Sequence, residues 1–447
     1  MGFLENSLAF LFVLGVLVLI HELGHHLAAR YFGVRVESFS IGFGPRLFGF
    51  RYGETDYKVC LLPLGGYVKM AGVELVGDSI SSDDAQPDPD GFLAKPRWQR
   101  LVVLFMGPLF NVLLAVALLA GMYMAHFERL KFWSEPAVVG YVQLDSAAKR
   151  AGVEPGDLIV SVNGERTEDW RDVTLAVISS TNSTVPVEVQ RNGALLPLSL
   201  AIGADADGVG SAGWTEVAPV RLGQTSPGMP ADEANVQPGD LLVAINGEPM
   251  AAVEQVIDSI RALGGREIEL TLNRDGKTVT TSITPVYDDS DAREPAWRIG
   301  VELMPDSERI VTQLSFSEAL RQSIDDNKKN ATLIFSFLGG LAEQRMSPKS
   351  LSGPVGIAQM SGEAARRGWP ELIALMAGIS LNLGIFNLLP IPILDGGSIL
   401  MLLFESVMRR DVSLAVKERI LQAGLVFIVL LFAFVMYNDI LKALPQS

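Results

Sequence analysis

Four stretches of the chain, near residues 7–28, 101–125, 371–394 and 418–437, stay apolar for about the 20 residues of helix that a bilayer core demands. Glu5 precedes the first of them and no Lys or Arg does, so it lacks the basic start of a cleavable signal peptide and reads as a retained membrane helix. Pro390 and Pro392 interrupt the end of the third. Between the first two, Glu37 to Met70 alternates short apolar runs with glycines, which predicts strands and tight turns. Residues 73–91 are rich in Asp and Pro without periodicity, which predicts a mobile loop. Further on, Phe316, Leu320, Ile324, Leu333, Phe337 and Leu341 recur at helical spacing, with Asp325, Asp326, Lys328 and Lys329 among them. That pattern fits an interfacial amphipathic helix or pair, or a helix packed in a soluble domain.

An internal duplication organises the segment between the second and third apolar stretches. Ala151-Gly-Val-Glu-Pro-Gly-Asp-Leu-Ile-Val-Ser-Val-Asn-Gly-Glu165 returns as Ala234-Asn-Val-Gln-Pro-Gly-Asp-Leu-Leu-Val-Ala-Ile-Asn-Gly-Glu248, a constant offset of 83 positions from Asp157 to Asp240. Each copy carries a Pro-Gly-Asp turn, a short apolar run for a buried strand, and an Asn-Gly turn whose residues both tolerate positive φ. The repeat closely resembles the PDZ domain and predicts two such domains in tandem. The resemblance leaves two roles open, capture of an extended peptide by strand addition and service as a spacer or steric shield.

Composition narrows the setting. An apolar content of 49% over 447 residues points to a membrane protein, and the single cysteine, Cys60, excludes an intrachain disulfide and a Cys-based zinc site. A net charge of −15 without any basic stripe argues against nucleic acid as a partner. The cations nearest the spans are Arg30 and Arg35 after the first, Lys95, Arg97 and Arg100 before the second, and Arg409, Arg410, Lys417 and Arg419 between the third and fourth. If these face the cytoplasm, both termini and the repeats lie on the outer side.

Candidate chemistry sits where polar residues are most costly. His21-Glu-Leu-Gly-His25 falls near the end of the first apolar stretch, and three of the four histidines of the chain lie within six positions there. Residues four apart share a helix face, so two imidazoles can grip one ion while Glu22 reaches a neighbouring water. Placing such groups in a span costs about 2.5–3.5 kcal/mol for a central charge on the mildest scale, which weighs against a mere polar cap at the boundary. His26 points to another face and reads as a bystander. Catalytic zinc takes three protein ligands, and Asp395 is the acid that follows the Pro390 and Pro392 break at membrane depth. On its own, Asp395 could instead cap a helix or pair with an arginine.

His-Glu-x-x-His in the first span, together with Asn382-Leu-Gly-Ile-Phe-Asn387-Leu-Leu-Pro-Ile-Pro-Ile-Leu-Asp395-Gly-Gly397 in a later one, resembles the site-2 protease family of intramembrane zinc metalloproteases. The tandem repeats between the second and third spans resemble the bacterial branch of that family. The resemblance implies Zn2+ held by His21, His25 and Asp395, with Glu22 as catalytic base. It implies that Asn382 and Asn387 hold the substrate backbone, and that residues 37–70, including Gly65, Gly66 and Tyr67, clamp the substrate. Gly107-Pro-Leu-Phe-Asn111 looks like the family's Gly-x-x-x-Asn packing motif, whereas Ser398 stands where many relatives carry His.

The expected fold class is therefore a polytopic α-helical membrane protein of four spans, with a membrane-associated β-region and two tandem extracytoplasmic PDZ domains. Its divisions are a first span over 1–36, the β-region over 37–72, a cytoplasmic loop over 73–100 and a second span over 101–125. PDZ domains over 126–221 and 222–306 and an amphipathic segment over 307–370 follow. A third span over 371–400, a cytoplasmic loop over 401–417, and a fourth span and tail over 418–447 complete the chain. The implied partners are the lipid bilayer, a single-span membrane protein of the anti-sigma-factor type already trimmed outside, remnant signal peptides, and a peptide ligand of the PDZ pair. The implied location is a bacterial inner membrane, with the repeats periplasmic and the active site near the cytoplasmic face. The alternative is a non-catalytic, PDZ-bearing membrane receptor or scaffold, and intact zinc ligands beside Glu22 argue against it, because a binding module needs no base.

Overall fold

A computed structural model of the chain describes residues 2–72, 89–125, 127–130, 133, 135–205, 208–289, 295–306, 309–346, 348 and 353–443. Most of the expected loop over 73–91 lies outside the described residues. The chain divides into two compact units, one of residues 1–127, 313–334 and 351–447, the other of residues 128–312 and 335–350.

The first unit is built on helices α1 (Gly2–Tyr31) and α2 (Arg97–Met124), with a hairpin of two long strands between them, β1 (Val36–Tyr52) and β2 (Thr55–Met70). Helix α3 (Phe316–Ala342), which belongs to this unit as far as Ile334, and helices α4 (Pro354–Arg367), α5 (Trp369–Asn387), α6 (Asp395–Met408) and α7 (Leu414–Ala443) follow. Four segments, Leu4–Tyr31, Arg97–Met124, Trp369–Asn387 and Ala415–Ile440, are long and apolar enough to cross a membrane. Val13 and Leu17 of α1 and Met376 of α5 form one buried cluster with Leu114 and Leu118 of α2, so these three helices share a core. At the end of α1 a second cluster joins Ala28, Ala29, Val34 and Val36 to Met70 of β2 and Val103 of α2. That cluster roots the hairpin between the two helices.

The hairpin folds on itself more than the expected short strands would. Ser38 pairs with both Lys69 and Asp56, and Ile41 with both Gly66 and Val59, so the start of β1 lies between two stretches of β2. Phe43, Leu47, Phe48, Phe50, Tyr52 and Leu61 project from it exposed, an apolar surface suited to a bilayer.

Two expectations need correction. The expected third span over 371–400 is not one helix: α5 stops at Asn387, an irregular turn runs over 388–394, and α6 begins at Asp395. Pro390 and Pro392 remove backbone donors there, and Ile393 takes φ 91°, a conformation strained for a β-branched residue. In consequence α6 runs on to Met408, through much of what reads from sequence as a loop over 401–417. The residues at helical spacing from Phe316 to Leu341 form one helix, α3, and within this unit that helix buries polar side chains against α2. Ser323 donates to the Val116 carbonyl at 2.7 Å and the Tyr123 hydroxyl donates to Asp326, while Phe316 and Ile324 are exposed. Carbonyl and hydroxyl partners on α2 satisfy these buried polar groups, while Ala331 and Ile334 of the same helix pack on Ala115, Leu381 and Ile385.

In the second unit the 83-residue repeat becomes repeated structure. Helix Ala147–Ala151, strand Leu158–Val162, strand Glu165–Arg166, helix Trp170–Ser179 and strands Ser183–Arg191 and Ala194–Ala204 make the first copy. Helix Pro230–Glu233, strand Leu241–Ile245, strand Glu248–Pro249, helix Val253–Leu263 and strands Ile268–Arg274 and Lys277–Ile283 make the second. Each has a separate core, one around Val162, Val187 and Leu200, the other around Leu222, Leu270 and Leu272. Asn163 and Asn246 sit at φ 56° and 50°, as the hairpin turns require.

The aspartates of the two Pro-Gly-Asp turns are both buried, and an arginine grips each with two hydrogen bonds of 2.7 Å, Arg191 on Asp157 and Arg274 on Asp240. Each aspartate also accepts a backbone N–H that closes its turn, from Glu154 or Gln237 at 2.9 Å. Burial alone pushes the Asp157 carboxyl up, but the Arg191 fork outweighs it and holds that carboxyl below the ordinary 3.8. For Asp240 the Arg274 fork is the dominant cause of the same lowering. A carboxyl that titrates lower folded than unfolded contributes stability that is complete above its unfolded value and lost as pH falls through the folded one. Asp157→Asn and Asp240→Asn should each lower the thermal unfolding midpoint of this unit by on the order of 5 °C at neutral pH. Calorimetry across pH checks this: the difference from wild type should shrink only in acid below the carboxylate range.

Candidate metal centre

Three side chains from two distant parts of the sequence converge in the first unit. The Nε2 atom of His21 lies 3.1 Å from Oδ2 of Asp395, that of His25 lies 3.4 Å from the same oxygen, and the two nitrogens are 3.3 Å apart. The rings stand edge to face, centroids 4.9 Å apart. Among the described residues these three form a group whose ligand atoms all fall within 4.8 Å of one another. Helix spacing on α1 puts the histidines on one face, and the turn at 388–394 delivers Asp395 as the first residue of α6. A carboxylate is favoured there by the exposed amides of a helix N-terminus. Gly396 and Gly397 make the approach feasible, since a Cβ on either would stand 2.3 Å from a carbonyl oxygen of the turn.

Helix α2 holds both imidazoles by their far nitrogens. His25 Nδ1 is 2.8 Å from the Val103 carbonyl, which can only accept, so Nδ1 carries a proton and the neutral ring keeps its lone pair on Nε2, facing Asp395. The Asn111 amide lies 3.2 Å from His21 Nδ1. The structure sets the amide nitrogen toward the ring and leaves Oδ1 buried without a partner among the described residues; turned over, Oδ1 accepts from Nδ1–H and leaves the same lone pair on His21. Asn111 is fully buried, and its backbone carbonyl accepts from the Ser380 hydroxyl of α5 at 2.8 Å. Gly107 faces His25 so closely that a Cβ would lie 2.2 Å from Nε2, and a Cβ on Gly24 would lie 2.3 Å from the Met106 carbonyl oxygen. Gly107 and Asn111, legible in sequence only as a packing motif, thus touch the two histidines directly. Val103 acts through its backbone, which no sequence motif reveals.

Glu22 is buried beside this group, one position along α1 from His21. Gly66 of β2 covers it: a Cβ there would stand 3.0 Å from Glu22 Cγ and 2.7 Å from the Ser40 carbonyl oxygen. Of the other hairpin candidates, Gly65 takes φ 135° against the Phe43 ring, and Tyr67 stacks on Phe43 at 6.0 Å. Asn382 and Asn387 lie half-buried on α5 with no side-chain hydrogen bond among the described residues. Ser398 is in α6, where its backbone continues the helix from Leu394. His26 is buried on another face, 3.2 Å from the Tyr57 hydroxyl, and does not join the cluster.

Two imidazole nitrogens with free lone pairs and one carboxylate are a donor set suited to zinc, with a fourth position left for water. The profile of peptidase family M50 matches residues 9–431. A Neisseria meningitidis protein named as a zinc metalloprotease is 31% identical over 99% of this chain and 100% of its own length. A Vibrio cholerae protein with a name of the same kind is 31% identical over 98% of each chain. The regulator of sigma-E protease RseP of Salmonella typhimurium is 31% identical over 98% of this chain and 99% of its own. Among solved structures, the PDZ domain of an SdrC-like protein from Listeria monocytogenes matches 20% of this chain and 90% of its own. Its identity of 21% and TM-score of 0.18 are too slight to bear on the fold.

The close approach of Gly107 to His25 makes a direct test of this geometry. Gly107→Ala should displace the imidazole and lower the zinc retained per chain at least about tenfold, the scale of losing an orienting contact to a ligand. Elemental analysis of the folded protein after dialysis would detect it.

Proposed function

This chain belongs to peptidase family M50 and is a zinc metalloprotease of the site-2 protease type, and on that premise we propose that it cuts within the transmembrane helix of single-span membrane proteins. His21, His25 and Asp395 hold the zinc, and Glu22 is the catalytic base. The convergence of two Nε2 atoms on one Asp395 oxygen, inside helices apolar enough to span a bilayer, supports this reading most. The bound ion supplies Lewis acidity, drawing electrons from the scissile carbonyl and acidifying the attacking water.

The chain's own residues do the rest. Glu22 removes a proton from water as the water oxygen bonds to the carbonyl carbon, then returns that proton to the departing amine as the C–N bond breaks. Val103 and Asn111 keep the ligand rings in the tautomer that leaves Nε2 free. A helical substrate hides its carbonyls in internal hydrogen bonds, so it must unwind, and its freed amides must be paired again inside the bilayer. The hairpin β1–β2 offers strand pairing next to Gly66, with Gly65 and Tyr67 shaping that edge. Asn382 and Asn387, whose amides have no hydrogen-bond partner among the described residues, bind the unwound backbone.

The two copies of the repeat act as tandem PDZ domains on the outer side of a bacterial inner membrane. They bind a peptide or exclude substrates that still carry bulky outer domains. The cation clusters at Arg30 and Arg35, Lys95 to Arg100, and Arg409 to Arg419 support an active site near the cytoplasmic face. The relative named as a regulator of sigma-E protease favours a pre-trimmed anti-sigma factor as substrate, with remnant signal peptides as a second class.

Cleavage of a model single-span substrate by the purified protein tests the assignment. Glu22→Gln should retain zinc and lose about 10²–10⁴-fold in rate, the range for a positioned acid or base. Asp395→Ala should lose both zinc and cleavage. Undiminished turnover in Glu22→Gln would overturn the base assignment. For Asn387→Ala, slower cleavage of a helical substrate is expected with little change on an already unwound one, and equal loss on both would rule out a role in backbone pairing.

A further inference from the structure

At the opposite end of α6 from Asp395 lies a second buried carboxylate that the chemistry above does not use. Glu405 is 2% exposed. Its Oε1 is 2.6 Å from the Lys417 ammonium of α7 and accepts the Val412 N–H at 2.9 Å, while its Oε2 is 4.0 Å from the Arg100 guanidinium of α2. Arg100 is buried as well, lies over the Phe92 ring with its charge 6.0 Å from the centroid, and has no partner for Nε among the described residues. Beside it, Arg97 of the same helix holds Asp411 at 2.7 Å. One ionic clasp thus ties the end of α6 to the first turns of α2 and α7.

An arrangement of this kind is costly to bury, and apolar residues of similar volume would commonly be as stable or more so; its best-attested use is to fix register. Here register matters at both ends of one helix. Glu405 is ten residues beyond Asp395, about 15 Å along the axis. The turn that joins α6 to α5 contains two prolines and the strained Ile393, and α2 carries the Val103, Gly107 and Asn111 contacts to the histidines one to three turns beyond Arg100. Helix α6 therefore leans on the α1–α2 pair at Asp395 and again at Glu405.

We infer that Glu405 is a positioning residue for the zinc site: its clasp with Lys417 and Arg100 sets α6 against α2 and so fixes the reach of Asp395 to His21 and His25. The inference rests on the proposed role of Asp395 as a ligand. Loss of the clasp lets α6 slide or rotate, which lengthens the carboxylate's reach without touching any ligand.

The test is zinc affinity, measured on the metal-free full chain in detergent by competition with a chelator. Wild type is compared with Glu405→Gln, Lys417→Met, the charge-conserving variant Lys417→Arg, and Asp395→Ala. Glu405→Gln and Lys417→Met should each bind zinc about 10–100-fold more weakly, as expected for a support of a ligand, and the cobalt(II) form should show an altered visible spectrum. The metal-free unfolding midpoints of Glu405→Gln and Lys417→Met should stay within about 5 °C of wild type, and Lys417→Arg, which keeps a positive charge on Glu405, should keep most of the affinity. Wild-type affinity in both Glu405→Gln and Lys417→Met, with Asp395→Ala impaired, would overturn this inference alone. Wild-type affinity in Asp395→Ala would overturn the ligand assignment and this inference together. Loss of affinity that tracks loss of fold, in Lys417→Arg as in Lys417→Met, would reduce Glu405 to a structural role and also overturn it.

Discussion

The dominant constraint on this protein is the cost of keeping two imidazoles and two carboxylates among helices that are otherwise apolar. A lone charge there is unfavourable by several kcal/mol, so each polar atom has to be met by another. The solution uses three segments: α1 supplies His21, Glu22 and His25, the break at 388–394 supplies Asp395, and α2 supplies the Val103 carbonyl and the Asn111 amide. Glycine is the means of approach. Gly24, Gly107 and Gly384 let α2 come against α1 and α5 at distances that a methyl group would forbid or crowd, and Gly396 and Gly397 let α6 begin inside its own preceding turn. The irregular backbone of that turn, tolerable in a membrane only where protein surrounds it, is what brings the Asp395 carboxylate beside the two imidazoles.

Much of this was legible in the chain itself, and the exceptions have a common cause. Helical spacing was enough to put His21 and His25 on one face, and the rarity of acids at membrane depth singled out Asp395. Pro390 and Pro392 announced a break, but not that a new helix would start at Asp395 and continue to Met408, because prolines mark where hydrogen bonding fails and carry no information on where it resumes. The supports were harder. Asn111 and Gly107 were visible as a packing pattern, yet their partners are 90 and 82 positions away in sequence, a separation at which no periodicity connects residues. Backbone contributors such as Val103 have no side-chain signature at all. Ser323 and Asp326 of α3 are buried because the Val116 carbonyl and the Tyr123 hydroxyl of α2 meet them, and hydrophobic spacing alone carries no record of such partners.

In the second unit, the turn motif marked the repeat but not the arginine that locks it. Arg191 and Arg274 keep the same offset as their aspartates, so extending the comparison past the Asn-Gly turn would have found them. Their bidentate grip takes on part of the work that a disulfide can do, in a chain whose one cysteine, Cys60, lies in the β1–β2 hairpin.

Duplicated domains carry a hazard during synthesis, because strands of one copy resemble strands of the other and can pair with the wrong partner. The ladders described here are arranged against it. Every strand pair of the first copy closes within residues 138–216 and every pair of the second within 220–305, and among the described residues no ladder joins the two. The first copy can therefore finish folding as it emerges, before its near-twin exists to compete for its edges.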